Sequence, residues 1–238
     1  MTRWLAALRF DVLLQARQGF YAATAAIVVL LGALLLSIPA AARARSDLWV
    51  PFLIVVNLPI TTFFFVCGLI LLERDEGTLV ALGVSPVTAG QYLAMRMTTL
   101  VALALIETLA IVSFGFSIET PALIITGAVL LGVMLTGFGA GVSSRYTTVN
   151  EMILPGSVFV TFLLLPLLAH FGMSPRAPFL LHPVEPPLTL IRAAYVEPAA
   201  GELLFGTLGS IAWCGVAWRW GRASLERSMR DTRASGGR

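Results

Sequence analysis

The chain has 238 residues, of which 58% are apolar and 12% charged, and its net charge is +3. That balance excludes an ordinary soluble domain. All sixteen basic residues are arginine; without a lysine to reach nucleotide phosphates, the chain holds no standard P-loop of its own.

The segment before Gly19 carries Arg3, Trp4, Arg9, Asp11 and Arg17 among leucines and a phenylalanine. It predicts a helix over 1–19 lying at the cytoplasmic interface, with an apolar side on Leu5, Leu8 and Val12. A continuous start to the first spanning helix is the alternative. Charge-free runs then extend from Gln18 to Ala42, Leu48 to Leu72, Thr120 to Ser144 and Met152 to Pro175. A spanning helix needs about 20 apolar residues, and a soluble helix has no reason to lack a charged face for so long. Six spans are placed near 20–41, 50–72, 94–117, 121–142, 153–172 and 201–221, within a transmembrane domain over 20–222. The fold class is all-α and polytopic. The first stretch is longer than a signal peptide's apolar core and is read as an uncleaved helix.

The connection between the second and third spans reads Glu73-Arg74-Asp75-Glu76-Gly77-Thr78-Leu79 and continues to Ser85-Pro86. A short helix over 74–82 fits, with Gly83 closing it. Ser85 followed by Pro86 predicts the start of the next helix. The connection over 173–200 is rich in proline, and its run from Leu188 to Val196 predicts a short outer or re-entrant helix. The chain ends in an arginine-rich tail over 223–238. With the N-terminus inside, twelve of the sixteen arginines fall on the cytoplasmic side. The positive-inside rule therefore puts both termini in the cytoplasm.

Several residues stand out within the spans. Glu107 is the one acid well inside a spanning segment. It lines a path or pairs with another group, serves as a protonated structural carboxyl, or sits near the outer surface if the helix is shifted. Asn57 and Thr61, beside Phe63-Phe64-Phe65, are candidates for a substrate path; lipid-facing phenylalanines explain the run equally well. Gly137, Gly139 and Gly141 predict close helix packing. His170 and His182 lack nearby carboxylates and predict no metal site. Cys67 and Cys214 are read as small buried apolar residues.

The chain resembles the ABC-2-type permeases, the membrane subunits of a class of ATP-binding-cassette exporters. Three stretches carry the resemblance: the acidic–Gly77-Thr78–Ser85-Pro86 segment, Ser143-Ser144-Arg145 with Asn150-Glu151, and Pro187-Leu188-Thr189 with Ile191-Arg192-Ala193. Within that family, its size resembles small actinobacterial drug-export permeases, fluoroquinolone exporters among them. The resemblance implies a multi-pass protein of the bacterial cytoplasmic membrane that pairs with a second permease, identical or homologous. It also implies two copies of a separate ATPase, which hold ATP and Mg; the chain itself needs no cofactor and no nucleic acid. The segment over 74–82 would be the coupling helix, with Glu73, Arg74, Asp75, Glu76, Gly77, Thr78 and Leu79 meeting the ATPase. A bare charge run is more often a solvated loop. The cargo expected is hydrophobic or amphipathic, a drug-like molecule or a lipid. A haem-exporter-type permease of cytochrome c maturation has similar size and topology. A membrane-embedded enzyme would need a catalytic constellation that an isolated Glu107 does not supply. A secondary transporter commonly shows repeats and several intramembrane charges, which this sequence lacks.

Overall fold

The structure, a computed structural model, describes residues 2–37, 39, 45–78, 87–114 and 120–236. The described residues form helices and no strand. Helix α1 spans Thr2–Arg17 and α2 spans Phe20–Ser37. They meet at Gly19, whose φ of +79° only glycine adopts readily. Next come α3 (Ser46–Leu58), a π-helical segment (Pro59–Phe64) and α4 (Phe65–Asp75), which form one continuous span. Helix α5 covers Ala89–Ser113 and α6 covers Pro121–Ser143. Helix α7 (Val149–Leu163) runs into the short α8 (Pro166–His170), and the break falls where Pro166 interrupts the ladder. A 3-10 turn at Ala177–Phe179 precedes α9 (Glu185–Arg192), and α10 runs through Ala200–Gly236. Six of these units are long and apolar enough to cross a membrane: Phe20–Ser37, Ser46–Asp75, Ala89–Ser113, Pro121–Ser143, Val149–His170 and Ala200–Arg230. The protein is an all-α, multi-pass membrane protein.

Helix α6 is the axis of the bundle. It packs against α10, α5, α9, α4 and the π segment. Its glycines explain the closeness. A Cβ on Gly137 would lie 2.8 Å from the Ala217 backbone of α10, and one on Gly139 would lie 2.8 Å from the Phe63 carbonyl. The predicted use of these glycines in close packing holds. Nearer the start of α6, Gly127 lets the α9 backbone approach: its Cβ would lie 3.1 Å from the Pro187 carbonyl. Gly127 is six residues into α6, so α9 reaches about 9 Å down the helix from its end. Helix α9 starts at Glu185, before the predicted Leu188, because Pro186 and Pro187 fit a first turn.

Three other boundaries differ from the sequence reading. First, α4 continues through Arg74 and Asp75, and the chain breaks at Gly77, where φ is +71°. Glu73, Arg74 and Asp75 thus end a spanning helix rather than begin a separate one; Leu79 to Leu82 lie outside the described residues. The reason is packing: Glu73 and Arg74 make inward bonds that carry α4 one turn further. Second, Thr88 caps α5, with the Gln91 amide N–H donating to its hydroxyl at 3.2 Å and its own N–H donating to the Gln91 side chain at 3.0 Å. This reciprocal pair is stronger than a lone serine cap; Ser85 and Pro86 lie outside the described residues. Third, α10 runs on past Arg222. The stretch from Arg222 to Ala234 lacks Gly and Pro, Arg222 pairs with Glu226 one turn on, and Leu225 and Met229 bury against Ala89, Tyr92 and Leu93 of α5.

Candidate functional site

Two polar constellations lie inside this apolar bundle. The larger sits at the arginine-rich end, where α1 meets α4 and α5. Arg96 of α5 is fully buried. One guanidinium nitrogen donates to Asp11 of α1 and the other to Glu73 of α4. Glu73 also accepts from the Tyr92 hydroxyl, and Asp11 from the Thr99 hydroxyl and, at 2.9 Å, from the Gln15 amide. Gln15 donates to Thr99 Oγ1 as well, at 2.8 Å. An effective penalty of several kcal/mol attends each ion taken out of water. One guanidinium serving two carboxylates offsets it only because hydroxyls and an amide satisfy the remaining lone pairs.

Helix α1 turns its polar edge inward. Asp11 and Gln15 face the bundle and are buried, whereas Leu5, Phe10 and Leu13 are more than half exposed. The polar edge grips the protein, and the apolar edge is free to lie in the membrane interface. The inward bonds of Asp11 and Gln15 are not legible in the sequence, since the rule that apolar faces turn inward assumes water outside.

Arg74, next to Glu73, points the other way. Its guanidinium donates to the Tyr146 carbonyl in the α6–α7 turn, to the Ser144 carbonyl at 3.4 Å, and to the Ser228 hydroxyl of α10. Of the residues predicted to meet a partner, Glu73 is therefore committed to Tyr92 and Arg96, and Arg74 is half-buried in its own bonds. Asp75 and Glu76 are exposed, and Gly77 and Thr78 are intermediate. The outward-facing part of that set reduces to Asp75–Thr78, with Leu79 outside the described residues.

The second constellation is Asn57, Thr61 and Glu107, all buried. The structure brings these three predicted residues together. Thr61 donates to Glu107 Oε2, and Asn57 lies beside the same carboxyl. Thr61 is presented by the π segment. Pro59 has no N–H to continue the ladder, the ring widens so that Phe65 N–H donates to the Ile60 carbonyl, and the Thr62 hydroxyl takes the Leu58 carbonyl at 2.6 Å. Such bulges often occur at functional sites. Among the described residues, four carboxyls are fully buried: Asp11, Glu73, Glu107 and Glu185. Asp11 and Glu73 pair with Arg96 and Glu185 with Arg176; among the described residues no charged side chain reaches Glu107. Glu107 Oε1 and both amide atoms of Asn57 have no hydrogen-bond partner among the described residues. The cluster thus retains capacity for a further donor and acceptor.

At the other end, Arg176 clasps α9 to α10 through Glu185, Glu202 and Thr189. His170 Nε2 donates to the Leu48 carbonyl at 2.9 Å and His182 Nε2 to the Phe162 carbonyl at 3.1 Å. The two rings tie separate helices and do not converge. Burial holds the His182 imidazole below the usual histidine range, against the pull of the Phe162 carbonyl. Cys67 and Cys214 are free thiols that each donate to a carbonyl of α6.

Residues 2–231 match the fluoroquinolones export permease protein family. The fluoroquinolones export permease protein of Mycobacterium tuberculosis, from strain CDC 1551 and from strain H37Rv, is 29% identical over 199 residues, which is 82% of this chain and 82% of each relative. With a match across almost its whole length and six spans in the fold, the chain belongs to the fluoroquinolones export permease protein family.

Proposed function

We propose that the chain is the transmembrane subunit of an ABC-2-type exporter, driven by ATP that a separate ATPase hydrolyses. Two permeases, identical or homologous, pair over two ATPase copies, which hold ATP and Mg. The arginine-rich end, with both termini, faces the cytoplasm of a bacterial cell. The cargo is hydrophobic or amphipathic, and the relatives' name makes a fluoroquinolone the first molecule to test. Asn57, Thr61 and Glu107 are the residues proposed to meet it, since they cluster inside the bundle and Asn57 and Glu107 keep polar atoms there without a partner among the described residues.

The observation that carries this reading is the end of α4. Adjacent residues there bond to α5, the α6–α7 turn and α10, α5 in turn bonds to α1 through Arg96 and Asp11, and the chain then breaks at Gly77 beside exposed Asp75 and Glu76. A subunit without a nucleotide site takes its energy through contact, and this junction joins an exposed acidic surface to α5, α10 and the α6–α7 turn. Charge-assisted bonds from Asp75 and Glu76 to basic groups on the ATPase supply the docking. Replacing both with alanine is expected to leave membrane insertion intact and weaken ATPase co-purification about ten-fold, the effect of about 1.4 kcal/mol. A double variant that binds the ATPase and transports at the wild-type rate rules out this surface.

A further inference from the structure

We infer that Arg96 is a positioning residue for energy transfer: it makes α1 move as one body with the end of α4 and the start of α5 when the ATPase seats against Asp75–Thr78. The inference rests on the proposed function and adds to it a helix that the docking surface does not touch.

Helix α1 joins the rest of the bundle covalently only through the two-residue turn at Gln18 and Gly19. The left-handed backbone of Gly19 has open space where a side chain would stand, and the next residue, Phe20, packs edge-on against Phe65 of α4. Beyond that elbow α1 is held to α5 by polar bonds: Arg96 and Thr99 donate to Asp11, and Gln15 donates to Thr99. Arg96 reaches Glu73 with its other nitrogen, and Glu73 is four residues before Gly77, about one turn of helix. A displacement at Gly77 therefore reaches α1 through one guanidinium. An apolar contact would let the helices slide. A buried guanidinium held by two carboxylates resists sliding, because separating either pair strands a charge away from water. The α1 face turned away from this tie is apolar and exposed, so movement of α1 drags a membrane-facing surface with it. Arg74 carries the same displacement to the α6–α7 turn and α10, and the two halves of the bundle thus meet in one turn of α4.

The test uses the full permease with its ATPase in liposomes. The triple variant Asp11→Asn, Glu73→Gln, Arg96→Met removes all three charges at near-constant volume and strands none. The expected result is a complex that assembles and hydrolyses ATP within about two-fold of wild type, while transport per ATP falls at least about ten-fold. Cysteines at positions 15 and 99 of this variant, bridged by a short reducible bis-thiosulfonate, should restore transport per ATP, and reduction should abolish it again. A merely structural role does not produce a reversible rescue. Wild-type transport per ATP in the triple variant, or a loss that the bridge does not reverse, overturns the inference. A wild-type permease that fails to engage an ATPase sinks the proposed function first, so the two failures are distinguishable.

Discussion

At the scale of single residues, one guanidinium serves two acids. Arg96→Met alone leaves Asp11 and Glu73 buried without a counter-charge, and should destabilise the protein by about 3–5 kcal/mol. The charge-free triple variant should melt close to wild type. Thermal unfolding in detergent checks both, and equal melting of the single variant and wild type would contradict the pairing. Glu107→Gln tests the second cluster. The amide still accepts from Thr61, so assembly and ATP hydrolysis should persist while transport falls about ten-fold, as expected for a polar group that meets the cargo; unchanged transport removes Glu107 from the path. The two clusters were unequally legible. Glu107, Asn57 and Thr61 stand out because each interrupts an apolar run. Asp11, Gln15, Tyr92 and Arg96 do not, because charges and tyrosines at the flanks of spans are ordinary interfacial residues. Only the fold reveals that Arg96 meets partners 85 and 23 residues away.

At the scale of elements, α6 works by absence of side chains. Gly139→Ala puts a methyl 2.8 Å from a backbone oxygen that cannot rotate away, and should cost about 1–3 kcal/mol or more. Gly215 has nothing within 4 Å of its would-be Cβ, so Gly215→Ala should be neutral or slightly stabilising. Thermal melts of the two variants compare them; similar losses would contradict the packing. His182 adds a pH term to the segment before α9. Its folded value is lowered by burial, so its contribution is full above the ordinary histidine range and lost as pH falls through the folded value. His182→Gln should therefore flatten the fall in melting temperature on mild acidification; an unchanged slope would assign it elsewhere. Spans were legible because hydropathy over about 20 residues is a strong signal. Their ends were not, because ends are decided by partners: Thr88 by Gln91, α4 by Glu73 and Arg74, and α10 by the burial of Leu225 and Met229 against α5.

At the scale of the whole molecule, burial is uneven. The Ser46–Asp75 span is 78% buried, whereas Phe20–Ser37 and Ala200–Arg230 are each 17% buried. Val29, Leu30, Leu204 and Leu208 are more than half exposed. Such faces suit contact with lipid in a multi-pass protein. Fold class and family resemblance were legible in the sequence, because length, charge-free runs and the Gly77-Thr78 segment act over the whole chain. Sidedness rests on the arginine bias, and cysteine labelling should find position 76 accessible only from the cytoplasm; labelling from outside would invert the account. In the proposed function this chain forms the transport path and another protein supplies the energy. The most direct measurement is fluoroquinolone accumulation in inside-out vesicles containing the permease with and without its ATPase. The account predicts accumulation that needs both the ATPase and hydrolysable ATP, and that stops with a hydrolysis-dead ATPase. Equal accumulation by the permease alone, driven by an ion gradient, would contradict it.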